Sequence, residues 1–235
     1  LTMSGHELLQ SRVGAEYEGD IPPTLLYPRR KSVDVINSRE LEKLDASTSH
    51  RYKMSRVEVE LKTEQEKEAA MKVSKTAADA EVKSLSTNLI AEESLELRVG
   101  ARVLCIANID MEGPQPLVNG SQGIVTGFAD GLPAVRFRNG LIKIVGKHEW
   151  ISETVPGVGV QQIPLILAWA ITIHKAQGVT LELAEIDVGS GIFECGQTYV
   201  ALSRVKSLEG LILKAYDVKR IKINKKVRAF YNALT

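Results

Sequence analysis

The chain has 235 residues, 44% of them hydrophobic and 25% charged, with a formal net charge of +1. That is enough to bury a core in one domain or two small ones, and the near-neutral balance gives no global sign of a nucleic-acid binder, although a local basic surface depends on where the charges sit. No apolar run reaches transmembrane length and no signal-peptide pattern opens the chain, so no membrane partner is expected. Cys105 and Cys195 read as reduced thiols of an intracellular protein. The first residue is Leu1 rather than Met, as expected of a piece of a longer polypeptide.

Residues 1–20 carry little pattern and read as a lead-in. "PTLLYP" (23–28) is a short apolar run between prolines, which suits a buried strand. Ser32 is then a candidate N-cap for a helix in "SVDVINSRELEKL", with Val33, Ile36, Leu41 and Leu44 on one face. From 45 to 97 the composition turns to Lys, Glu and Ala with few large apolar residues, and it reads as a charged insertion within a first part spanning 21–97, either mobile, the favoured reading, or solvated and partly helical.

Residues 98–158 form a module that reads as β from 99 to about 147: "VGARVLCIANI", then "QGIVTGF" and "PAVRF" around the Asp-Gly turn of "ADGL", then "RNG" before "LIKIV". Short strands at this spacing fit a small barrel of SH3-like size. In 159–235 strand and helix alternate again. "IPLILAW" reads as a central strand, "LAEIDVG" and "LILKAY" as further strands, "GQTYVALSRVKS" and "NKKVRAFYNAL" as helices. The fold class that follows is α/β: a parallel-sheet domain interrupted by a small all-β module.

Chemistry gathers first in "AITIHKAQGVTLE" (170–182), where an apolar run ends in Thr172, His174, Lys175, Gln177, Gly178 and Thr180. At the carboxyl edge of a parallel sheet such a cluster can present backbone and side-chain donors to phosphate oxygens. The other reading is that Thr172 only caps a helix and His174 is a surface histidine. In "QTYVALSRV" (197–205) a helix would align Gln197, Ala201 and Arg204, and the arginine either reaches a phosphate across an interface or pairs with Glu209. "YPRRKS" puts Arg29, Arg30 and Lys31 after a strand end, and "KRIKINKKVR" reads mainly as a solvated helix face. No phosphate loop is present: Gly146-Lys147 has Leu141 in place of the first glycine and His148 in place of Ser or Thr. No Asp-Glu pair follows an apolar strand to hold magnesium, and the histidines and cysteines lack zinc spacing.

"LAWAITIHKAQGVTLE", "GQTYVALSRVKSLEGL", "LRVGARVLCIANI…LVNGSQGIVTGF…AVRF" and "LLYPRRKSVDVINSREL" together resemble the C-terminal half of the Pif (petite integration frequency) DNA helicases of superfamily one, type B, over about 24–44 and 98–234. The resemblance implies a second RecA-like domain carrying an SH3-like insertion, in an ATP-dependent DNA helicase of the nucleus or mitochondrion. It implies that Arg204 is an arginine finger, that Gln177, Gly178 and Arg30 lie near the nucleotide, and that Thr172, His174, Lys175, Thr180 and Asn119 touch single-stranded DNA. ATP and Mg2+ would be the cofactors, with the phosphate loop and Mg2+ ligands on an N-terminal RecA-like domain of the same protein. Ala176 departs from the family pattern, where serine is frequent, and the 45–97 stretch is longer and more charged than the pattern. A catalytically silent binding module derived from a helicase is the alternative.

Overall fold

The computed structural model describes residues 3–113, 116–189, 191–221 and 224–234. Leu1 and, from the basic C-terminal stretch, Lys222 and Ile223 lie outside them. Helix α1 (Met3–Gln10) and an extended lead-in precede β1 (Thr24–Tyr27). Helix α2 (Arg30–Glu42) follows at once, burying Val33 and Leu41, with Ile36 and Leu44 packed against the core that Leu41 joins. It starts two residues before the expected Ser32 cap: Pro28 holds Tyr27 extended, and Arg29, itself extended, is the N-cap without a side-chain hydrogen bond.

The stretch 45–97, for which composition favoured a mobile loop over a partly helical insertion, has regular structure over most of its length. It contains β2 (His50–Lys53), β3 (Ser55–Glu58), α3 (Glu64–Met71), α4 (Lys75–Asn88) and β4 (Ser94–Leu97). β2 pairs antiparallel with β4, whose Leu95 and Leu97 are fully buried. Thr63 and Glu66 form a reciprocal capping box on α3, and the Ser74 hydroxyl accepts the Ala77 N–H at 3.1 Å on α4. An averaged Lys/Glu/Ala content hides both the two leucines and the caps.

The all-β insertion comprises β5 (Arg102–Cys105), β6 (Gln122–Ala129), β7 (Leu132–Phe137), β8 (Ile142–Ile144), β9 (His148–Ile151), β10 (Val158–Gln162) and β11 (Leu165–Leu167). Five of these make an antiparallel sheet in the order β11-β5-β6-β7-β8, and β3-β10-β9 form a smaller one. The expected Asp-Gly turn joins β6 to β7, with φ of 49° at Asp130 and 75° at Gly131, the backbone that a two-residue hairpin requires.

The chain then returns to the first layer through β12 (Ala170–Thr172), β13 (Ala184–Val188), α5 (Gln197–Leu202), β14 (Leu211–Tyr216) and α6 (Lys225–Leu234). The parallel sheet runs β12-β1-β13-β14. A parallel RecA-like sheet with an antiparallel SH3-like insertion is the architecture anticipated from the sequence.

"IPLILAW" is not one central strand. Leu165–Leu167 belong to the antiparallel sheet, and only Ala170–Thr172 enter the parallel one, at its edge. The run is apolar because both of its faces are covered. Ile166 joins Leu104 in the core under the parallel sheet, while Leu165 joins Val103 and Cys105 in the core of the insertion. β5 and β11 are thus a wall shared by two cores, and a strand buried on both faces loses its alternation. The open side of β12 is closed by a side chain: Asn37 on α2 donates to the Ala170 carbonyl and accepts its N–H, both at 2.9 Å. At the opposite edge Val13 bridges to Leu213 of β14. Among the described residues no helix is long and apolar enough to cross a membrane.

Candidate functional site

Beyond β12 the chain makes one helical turn. The Thr172 hydroxyl accepts the Lys175 N–H at 3.0 Å and its carbonyl accepts the Ala176 N–H at 3.0 Å. Ile173, Ala176 and Val179 point into the core, which leaves His174, Gln177 and Gly178 exposed. Thr172 therefore does cap the turn, and the same hydroxyl, on a residue only 8% exposed, still has a hydrogen of its own to donate. Ala176 is fully buried, so a serine there would place its hydroxyl in the core rather than on a ligand. Lys175 lies 3.9 Å from Glu92 in a half-exposed pair, an interaction worth little against solvent. Gly178 has φ of +77° with open space around it.

The carboxyl end of β1 adds cations to the same edge of the sheet. Arg30 is exposed, 3.6 Å from Asp34. The Arg29 guanidinium sits 5.6 Å above the ring of Phe193, which is 50% exposed. Across β13, the Lys214 ammonium donates to the Tyr27 hydroxyl at 3.3 Å. Tyr27, with Glu185 and Asp187, pushes the Lys214 pKa up and keeps the ammonium charged.

Thr180, Asn119 and Arg204 gather at the other end. The Leu181 N–H donates to the Arg204 carbonyl at 2.8 Å, upstream of the amino end of β13. Gly120 has φ of +103°, and a Cβ there would stand 2.0 Å from the Thr180 carbonyl oxygen, so only glycine lets the Asn119 turn lie against Thr180. Asn119 donates its N–H to Asn108 Oδ1 at 2.9 Å, while its own buried Oδ1 has no protein donor. Arg204 lies just beyond α5 rather than on it. Its Nε donates to the Val200 carbonyl at 3.1 Å and Nη2 to the Ser203 hydroxyl at 2.9 Å, so the guanidinium is held by its own helix end and not by Glu209.

The predicted residues thus form two groups. Arg30, Thr172, His174 and Lys175 share the carboxyl edge; Thr180, Asn119 and the Arg204 backbone share the amino end, with Gln177 and Gly178 on the segment between them. The structure does not bring Arg30 to Arg204. Among the described residues no cluster of three or more His, Cys, Asp or Glu is arranged for a metal ion.

Sequence reasoning missed the amide that joins the modules. Gln122, on β6, donates to Thr24 Oγ1 at 2.8 Å and to the Leu183 carbonyl at 2.9 Å, and its Oε1 accepts the Leu183 N–H at 3.1 Å, all of it buried. A lone glutamine opening the strand "QGIVTGF" was the available signal. Phe193 was missed as well. Its backbone is pinned by Gln197, whose Oε1 accepts the Phe193 N–H at 3.2 Å.

Residues 82–128 match the family model described as DNA helicase Pif1, 2B domain. The ATP-dependent DNA helicase PIF1 of Xenopus laevis is 33% identical over 236 residues, covering 97% of this chain and 33% of the relative. The chain is homologous to the Pif1-type superfamily 1 helicases. Crystal structures of the Bacteroides sp. Pif1 align over nearly all of it: the complex with ADP-AlF4 at 27% identity and TM-score 0.72, covering 99% of this chain and 50% of that one, and the complex with ssDNA at 26% identity and TM-score 0.56, covering 100% and 50%. The chain spans half or less of the length of these Pif1 relatives. The segment matching the Pif1 2B domain takes in the Asn119–Gln122 turn, so the close approach of Gly120 to Thr180 sets that segment against the connection from β12 to β13.

Proposed function

We propose that this chain is the C-terminal motor portion of an ATP-dependent DNA helicase, acting with an N-terminal RecA-like domain that holds ATP and Mg2+. The observation that carries the reading is a match running through nearly the whole chain to Pif1 helicases, including one solved with a nucleotide analogue and one solved with single-stranded DNA. The arrangement of Arg204 supports it. Two of its guanidinium nitrogens are fixed to Val200 and Ser203, which orients Nη1 without using it. A preoriented guanidinium is what a finger on a transferring phosphoryl group needs, because its charge then acts without reorganisation in the transition state. ATP, when bound by the other domain, supplies the phosphoanhydride bond that is hydrolysed.

Exposed His174 and the Thr172 hydroxyl, with Lys175 and Arg30, face the strand in this reading, and Thr180 with Asn119 extends the track. Arg30 stands at the sheet edge away from Arg204, and we assign it to the strand rather than to the nucleotide. Grip through phosphates is indifferent to sequence and weakens with salt.

The test is steady-state ATPase activity and single-strand binding of the full-length protein, with and without Arg204→Ala. DNA-stimulated turnover should fall by about 10³-fold with strand affinity nearly unchanged. A full-length protein inert as an ATPase, or indifferent to the substitution, would leave a silent binding module as the better account.

A further inference from the structure

An exposed phenylalanine beneath a guanidinium is an unusual thing to keep at the carboxyl edge of a sheet, and the structure spends several contacts on keeping it there. Phe193 is 50% exposed, yet the segment carrying it is fixed. Gln197 binds the N–H groups of both Phe193 and Glu194, at 3.2 and 3.5 Å. Gly191 abuts Pro28, where a Cβ would come within 3.2 Å of the proline ring. Pro28 immediately precedes Arg29, so the same packing sets the guanidinium over the ring at 5.6 Å. A second cation–aromatic pair, Lys214 over Tyr27 at 5.7 Å, stands on the same edge of the sheet.

A cation–π pair that merely stabilised the fold would contribute more if it were buried. Left open and held from below, the pair is a planar, charged platform. Nucleobases stack on aromatic rings and on arginine planes, and the neighbouring ammonium and guanidinium groups suit the phosphates such a base carries. We propose that Arg29 and Phe193 form a stacking platform for a nucleobase, with Gln197 as the residue that positions it. The inference rests on the motor reading above and adds to its phosphate contacts a site that takes a base. The base comes either from the bound strand or from the bound nucleotide.

The test compares base-bearing with base-free ligands on the full-length protein: a ten-residue oligothymidylate against the same backbone with abasic sites, and ATP against inorganic tripolyphosphate. Phe193→Ala should weaken the base-bearing member of one pair by about fivefold to tenfold while leaving its base-free counterpart within about twofold. The pair that responds identifies the source of the base. Phe193→Trp should retain affinity, and its added fluorescence should be quenched by the responding base-bearing ligand alone. Equal loss for base-bearing and base-free ligands, or no loss for either pair, would overturn the platform while leaving the motor reading in place. Failure of the unsubstituted protein to bind any of the four would overturn both.

Discussion

Gln122 shows how much one side chain can hold. Its amide serves Thr24, just before the parallel sheet's buried Leu26, and both backbone groups of Leu183, at the entry to β13. Replacing it with leucine keeps the volume but strands the Leu183 N–H, removes the donor to Thr24 Oγ1 and leaves the Leu183 carbonyl only the long Thr24 N–H contact at 3.4 Å, and each lost partner costs about 1–3 kcal/mol. Gln122→Leu should therefore lower stability by roughly 3 kcal/mol, read as a fall in the urea midpoint with an unchanged slope. A midpoint within error of the parent would mean that the amide is replaceable by packing. This residue could not be read from the sequence because its partners lie 61 and 98 positions away. His174 and Gln177 were readable for the opposite reason: they stand together in one short segment, and the inward spacing of Ile173, Ala176 and Val179 leaves them outside. Phe193 falls between these cases, since one aromatic in "GIFECG" carries no sign that Arg29 will lie over it.

At the scale of elements, the carboxyl end of α2 is tied to β4 by a charged node. Arg98 donates to the Leu44 carbonyl just past the helix at 3.1 Å and, beside the backbone N–H groups already on it, to the Leu41 carbonyl at 3.3 Å, and to Glu96 Oε1 through Nε and Nη2 at 3.0 and 2.8 Å. Arg51 reaches Glu96 Oε2 at 2.8 Å and Ser49 adds a hydroxyl at 3.0 Å. Donation from Arg51, then Arg98, pulls the Glu96 pKa from 4.5 down to about 2. A carboxyl depressed on folding contributes stability that is complete above its unfolded pKa and is lost as pH falls through the folded one. Glu96→Gln should cost roughly 2 kcal/mol at pH 7, and the gap between variant and parent should close between about pH 4.5 and 2. Urea unfolding at three pH values checks this, and a gap independent of pH would show that the carboxylate charge is not what matters. None of this was legible in 45–97, where the sequence offered charge without saying which charges meet. Helix α2, in contrast, was legible from the spacing of Val33, Ile36, Leu41 and Leu44, because amphipathic periodicity survives whatever packs on it. Its start was not, since Pro28 set it and Ser32 did not.

For the whole molecule the question is whether the parallel sheet and its insertion unfold as two units or as one. The alternation of strand and helix around a β-rich middle gave the architecture from sequence, a parallel-sheet domain interrupted by an all-β module, but not how firmly the two are joined. Polar straps do cross the junction: Gln122 reaches Thr24 and Leu183, Arg138 on β7's exit donates to the Ile21 carbonyl, and Arg136 lies 3.6 Å from Asp20. Apolar burial across the junction outweighs them. Leu104, Ile106 and Ile166 come from the insertion and are buried in the core of the parallel sheet, at 0%, 7% and 3% exposure. Pulling the modules apart would expose all three, at about 1.5–3 kcal/mol each, a sum of about 5–9 kcal/mol. That exceeds the roughly 3 kcal/mol assigned to Gln122, and the exposed Arg136–Asp20 pair adds little. The doubly substituted chain, Gln122→Leu with Arg138→Ala, should therefore melt at a lower temperature but still in a single calorimetric transition whose van't Hoff and calorimetric enthalpies agree. Two resolved transitions, in the parent or the variant, would show that the shared wall of β5 and β11 does not couple the cores and that the polar straps had been holding separate units together.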